Sequence, residues 1–244
     1  MTRLPRPAGN VGPSALSSEP GGIAGAGSVE ALYPFLYEGA VDAGKVIAEA
    51  RQSTVAKTRE IIDLRAEVCD KNGERLIACA KAMAAKFAAG GRLLTFGNGG
   101  SATDAQEVAA LFSYPQASET SLPAIGLASD VSVLTALAND VGVDVVFARQ
   151  IAAFGRRTDI AFGLSTSGNS ENLLRAFDTA RQIGLLTVGV SGYNGGKMAE
   201  VGRLDYLFVA PSTSIHRIQE AQTTIYHVLW ELVVTELEES RAST

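Results

Sequence analysis

Two short stretches of this chain gather the residue types that hold an anion. The first, Gly97-Asn98-Gly99-Gly100-Ser101, follows an apolar run and leads into a helix-like segment, Ala102–Phe112. Glycines let a backbone approach a ligand closely and take up positive φ. The helix start that follows presents unpaired N–H groups and a partial positive charge. The second stretch, Ser165-Thr166-Ser167-Gly168-Asn169-Ser170, sets four hydroxyls around one glycine, between an apolar run and a helix-like segment from Glu171. Such a turn can give several hydrogen bonds to one phosphate. A plain tight turn remains an alternative for the first stretch. For the second, a solvated helix cap at Ser170 or Asn169 explains one hydroxyl, not four.

Two other phosphate chemistries fit less well. No G-x-x-x-x-G-K-[ST] motif occurs; Gly192 to Lys197 comes near, but with the wrong spacing and Met198 next. Gly97-x-Gly99-x-x-Ala102 meets the loose dinucleotide fingerprint. The acidic residue that should then end a second strand, about twenty positions on, has only Asp130 as a candidate, and Asp130 opens a helix-like segment. No nucleotide cofactor is expected.

Both stretches need a scaffold, and the apolar pattern supplies one. Short apolar runs recur at Arg92–Phe96, Ala124–Leu127, Ile160–Leu164, Leu186–Val190 and Tyr206–Val209. Each except the last is followed by small polar residues and a helix-like segment. Strands alternating with helical crossovers imply an α/β fold, a parallel sheet with helices on both faces. In such sheets ligands sit beyond the carboxyl ends of the strands, where these two stretches fall. Ahead of the first strand, from about Val29 to Ala89, apolar residues three and four apart predict amphipathic helices, with Asn72 and Gly73 punctuating two runs. Residues 1–28, rich in Pro, Gly and Ser, read as a flexible tail. The expected layout is thus a tail (1–28), helices packing on the domain or an oligomer interface (29–90), and a ligand-binding domain (91–240).

Bulk properties exclude several classes. A net charge of −5 over 244 residues leaves no basic surplus for nucleic acid. Cys69 and Cys79 match no metal spacing and read as buried reduced thiols. No basic leader precedes an apolar run and no stretch approaches a membrane span, so a cytoplasmic protein with no membrane association is expected.

From about Ala40 to Glu238 the chain resembles SIS-domain proteins, specifically the phosphoheptose (sedoheptulose 7-phosphate) isomerase group. The resemblance is carried by FGNGGSATDAQEVA (Phe96–Ala109), LTALANDVGVDVVFARQI (Leu134–Ile151), LSTSGNSENLLRAF (Leu164–Phe177) and RIQEAQTTIYHVLWEL (Arg217–Leu232). It implies a five-stranded parallel SIS sheet with an N-terminal helical extension, and a homotetramer with sites at subunit interfaces. It also implies a phosphosugar held by Asn98, Gly99, Gly100 and Ser101, with Ser165, Thr166, Ser167 and Ser170 on the phosphate. Asn139 and Asp140 would contact substrate, and Gln219 and His227 would complete the site. Eight residues apart, these last two lie near one face of a helix. His216 has no assigned counterpart and reads as a surface residue.

The chain departs from the family in its acid/base residues. After the glycine loop the family carries a His and, four residues on, a Glu that acts as acid/base. With the Gln and the second His they can also hold a metal such as zinc. Here those positions are Glu107 and Leu111, and a substrate-binding Arg four residues further is Pro115. Leu111 cannot take a proton. Glu107 is one turn earlier on the same face. It is the candidate to act with His227 as acid and base, or with Gln219 and His227 as a zinc-binding set; an ordinary exposed helix residue is the alternative. Three functions follow as expectations. The first is an aldose–ketose isomerase acting on sedoheptulose 7-phosphate. The second is the same chemistry on a shorter sugar phosphate. The third is a non-catalytic SIS protein that binds a phosphosugar or a protein partner.

Overall fold

The computed structural model describes residues 43–114 and 120–242. The expected tail 1–28, the start of the N-terminal helical region and Pro115 lie outside these residues. The chain divides into two units between Arg51 and Gln52, and the packing and site described below belong to the second. In chain order the elements are α1 (Ala43–Ala88), β1 (Leu93–Gly97), α2 (Gly100–Ser113), β2 (Ala124–Gly126), α3 (Val131–Asp140), α4 (Val146–Phe154), β3 (Ile160–Ser165), α5 (Glu171–Ile183), β4 (Leu186–Gly192), α6 (Gly196–Glu200), β5 (Tyr206–Ala210) and α7 (Ile215–Ala242). The five strands form one sheet in the order β2-β1-β3-β4-β5, and every pairing is parallel. Every apolar run singled out above is a strand.

One expectation is corrected. The two N-terminal helical runs are one 46-residue helix that passes straight through Asn72 and Gly73. Asn72 turns its amide back to donate to the Val68 carbonyl at 2.8 Å, so it does not compete with the helix. Gly73 costs about 1 kcal/mol relative to Ala. That cost is outweighed by the buried stripe on either side of it: Ile61, Leu64, Val68, then Leu76, Cys79, Ala80 and Met83. The cysteines are corrected too: Cys79 is buried, but Cys69 lies on the exposed face of the same helix.

The sheet is covered on both faces because its strands alternate. In β3, Ile160, Phe162 and Leu164 join the core cluster that includes α1 and α7 residues such as Met83 and Tyr226. Ala161 points into the opposite cluster with Leu173 and Phe177 of α5 and Ile151 of α4. Burying one such large side chain contributes about 1.5–3 kcal/mol. Gly163 is obligatory on that second face: a Cβ there would stand 2.6 Å from the Phe177 ring and 2.7 Å from Phe96. Helix α5 ends as its sequence dictates, with Gly184 at φ +94° and its N–H donating to Ala180 at 2.9 Å.

With this strand order, chain direction across the sheet reverses between β1 and β3. The crevice beyond the carboxyl ends of those two strands is where such a sheet binds ligands. Gly97 pairs with Leu164 in register, so both Ser/Gly-rich stretches leave the sheet side by side at that crevice.

Candidate active site

The first loop is shaped by its glycines. Gly97 closes the strand where a Cβ would collide with the Ser101 carbonyl, and Gly99 takes φ +55°. These conformations start α2 abruptly: Ser101 N–H donates to the Asn98 carbonyl, and Ala102 N–H to that of Gly99, both at 3.0 Å. Asn98, Gly99 and Gly100 are exposed, while Ser101 is buried. Beside them lies a hollow of about 410 Å³ lined by Asn98, Thr103, Gln106, Leu134 and Asn172, among others.

The second loop is braced from within and behind. Ser165 is buried, and its hydroxyl accepts from the Gly168 N–H at 3.1 Å. Gly168 sits at φ +67° against the backbone of Gly195, and its carbonyl accepts from the Met198 N–H of α6 at 3.0 Å. The Lys197 N–H donates to the Asn169 side chain at 2.9 Å. Ser170 occupies the N-cap position of α5 but makes no side-chain capping bond; its hydroxyl stands 3.3 Å from that of Ser165. Thr166, Ser167 and Ser170 are half-buried at the loop's surface. Ser165 therefore shapes the loop, as does Ser167, whose hydroxyl accepts from the Asn169 N–H at 3.2 Å.

The two loops are tied together by a residue the sequence did not single out. Asn172, in the first turn of α5 and buried, donates to the Asn98 amide oxygen and accepts from the Asn98 amide nitrogen, each at 2.9 Å.

Helices α2 and α7 bring the remaining side chains together. Gln219 packs over Gly100, where a Cβ would strike its amide. Its Nε2 stands 3.4 Å from Oδ2 of Asp104. Two turns down α2, Glu107 Oε1 lies 3.6 Å from His227 Nε2, and both side chains reach solvent. The fully buried Tyr226 donates to the Thr223 hydroxyl at 3.3 Å. Burial pushes the Tyr226 phenol well above its ordinary value, and Glu107's charge adds to the shift, so it stays a donor. Burial also raises the Asp104 carboxyl, opposed by the Gln219 amide and reinforced by Glu107. Asp104, missed in the sequence, lies three residues before Glu107 and so on the same helix face; that spacing was the signal available.

Leu111 turns inward and packs against the α1–α7 core. Asn139 and Asp140 sit exposed at the end of α3, where Asn139 donates to Asp140 at 2.8 Å. His216 is exposed in the first turn of α7. Among the described residues no three His, Cys, Asp or Glu side chains cluster closely enough for a metal ion. A metal would need the Gln219 amide beside Glu107 and His227.

Comparison with known proteins bears on the family and the fold. The SIS domain family model matches residues 58–192. The chain is 46% identical over 173 residues to a phosphoheptose isomerase of Pelodictyon phaeoclathratiforme, covering 70% of this chain and 82% of the relative. It is 41% identical over 176 residues to one from Aquifex aeolicus, covering 72% and 91%. Among solved structures, phosphoheptose isomerase from Neisseria gonorrhoeae superposes with a TM-score of 0.70 at 34% identity, over 75% of this chain and 98% of that one. The Francisella tularensis phosphoheptose isomerase gives 0.69 at 31% identity, over 76% and 98%. On fold, motifs and relatives alike, the chain belongs to the SIS domain family, within its phosphoheptose isomerase group.

Proposed function

We propose that this protein is an aldose–ketose isomerase acting on sedoheptulose 7-phosphate or a sugar phosphate of similar length. The observation that carries the reading is the Glu107–His227 pair, 3.6 Å apart, two turns along α2 from the glycine loop. The phosphate is held by Thr166, Ser167 and Ser170, with the first-turn N–H groups of α5 adding their partial positive charge. Ser101 and the backbone of Gly99 and Gly100 take the sugar chain. Glu107 removes a proton from the carbon next to the carbonyl, and His227 gives a proton to the carbonyl oxygen, forming an enediol. Return of a proton to the former carbonyl carbon, with loss of one from the hydroxyl on the carbon first deprotonated, completes the isomerisation. Positioned proton transfer of this kind contributes about 10²–10⁴-fold. A zinc ion, held by Glu107, Gln219 and His227, would add polarisation of the sugar's carbonyl oxygen.

Assembly into a homo-oligomer belongs to the same proposal. Helix α3 buries none of its residues, although it is rich in Val, Leu and Ala. Val131 is 68% exposed, and Phe154 at the end of α4 is 49% exposed. An oligomer that covers this surface would bring Asn139 and Asp140 toward a site. Among the described residues no helix is long and apolar enough to cross a membrane.

The inward Leu111 favours one second reading, a phosphosugar-binding protein without turnover. Incubation with sedoheptulose 7-phosphate, followed by NMR of the products, separates the two. The isomerase reading expects an aldoheptose phosphate, with kcat lowered at least about 100-fold in Glu107→Gln. Binding without conversion, with or without added zinc, would leave the second reading standing.

A further inference from the structure

We infer that the reciprocal Asn98–Asn172 amide pair is a clasp that sets the spacing of the two ligand loops, making Asn172 a positioning residue for the phosphosugar. The inference rests on the proposed function for its ligand, but not for its geometry. The pair spans the crevice between β1 and β3, and it is the side-chain link between the first loop and the first turn of α5. The two amides offer each other one donor and one acceptor, which closes a ring of two hydrogen bonds. Such a bond is costly to break when one partner is largely buried, as Asn172 is, because its released amide regains little hydration.

The consequence for binding is geometric. Asn98 is exposed and Asn172 is buried, so the clasp anchors a solvent-facing loop to a helix fixed in the core through Leu173 and Phe177. A ligand whose phosphate sits on Thr166–Ser170 and whose sugar reaches Gly99–Ser101 must match the distance between the loops. With the clasp closed, that distance is set before the ligand arrives, and ordering the first loop does not count against affinity. Inorganic phosphate, which needs the second loop alone, should be indifferent to the clasp.

The test is a double-mutant cycle on the full chain, with Asn98→Ala, Asn172→Ala and the double variant. Dissociation constants for sedoheptulose 7-phosphate and for inorganic phosphate are measured by calorimetry. Each single variant should weaken the sugar phosphate about tenfold, and the double variant should be no weaker than the worse single, because the second change has no bond left to remove. Phosphate affinity should move less than twofold, and kcat should change less than KM. Losses that multiply in the double variant, or equal losses for phosphate and sugar phosphate, overturn the clasp. Hydrogen exchange on the ligand-free protein gives a second readout that survives failure of the functional reading. Asn98→Ala should speed exchange at the amides of the distant Thr166–Ser170 loop. Acceleration confined to residues 98–101 overturns the inference even if the protein binds no sugar at all.

Discussion

The two loops at the crevice and the α2–α7 face below them are built on different principles. The loops are held mainly by backbone, with glycines at φ +55° and +67° and carbonyls and N–H groups bonded at about 3 Å, and by one side-chain amide clasp. The α2–α7 face is held by helix packing, and its working atoms are long side chains that reach solvent. Backbone-built sites tolerate little substitution, because changing a residue type changes the path of the chain. A side-chain site can exchange one residue for another and keep its frame. In this chain the loops carry the glycine and serine motifs of the resemblance, whereas the α2–α7 face carries Glu107 and Leu111 where the resemblance implies a His and a Glu.

If that contrast is right, the largest effect should come from the loop. Gly168→Ala forces a Cβ onto the Gly195 backbone at positive φ. It should cost about 1–3 kcal/mol and abolish protection of the protein by sugar phosphate in thermal melts. Retained protection would show that the loop is not backbone-determined. A smaller effect is expected at Leu111, which the structure places in the core. Leu111→Ala should lower stability by about 2 kcal/mol, the low end for such a truncation because Leu111 is only half-buried, with kcat within twofold of the parent. A selective fall in kcat would return Leu111 to the site. The smallest effect is expected at Asp104. Burial raises its carboxyl, so the folded state keeps the proton to higher pH than the unfolded chain does. Its stabilising contribution is full below the unfolded carboxylate value and is lost as pH rises through the folded one. Asp104→Asn should therefore raise Tm slightly at pH 7, and the gain should vanish near about pH 4. A gain that grows on acidification would contradict the burial of that carboxyl.

The same contrast explains what could be read from the sequence. Ser165–Ser170 and Gly97–Ser101 were visible because the signal is local: small residues at fixed offsets between an apolar run and a helix. Strands β1 to β5 were visible for the same reason. Asn172 was not, since its partner lies 74 residues away and nothing in its neighbourhood distinguishes it from an ordinary helix-start residue. Asn72-Gly73 misled because a local break signal was outweighed by tertiary burial of Val68 and Leu76 on one continuous stripe. Cys69 misled through the same helix, where a ten-residue spacing from Cys79 does not return to the same face. The Glu107–His227 pairing needed both helices in place before a distance could be assigned.

Proton transfer at the α2–α7 face is tested most directly by isotope exchange. Sedoheptulose 7-phosphate is incubated with the protein in deuterium oxide, and the recovered sugar is examined by mass spectrometry and NMR. Deuterium should enter at the carbon beside the carbonyl, and Glu107→Gln should suppress that exchange while still binding the sugar. A bound sugar that keeps all its carbon-bound hydrogen, or exchange that survives the loss of Glu107, would contradict the assignment of the proton-handling pair.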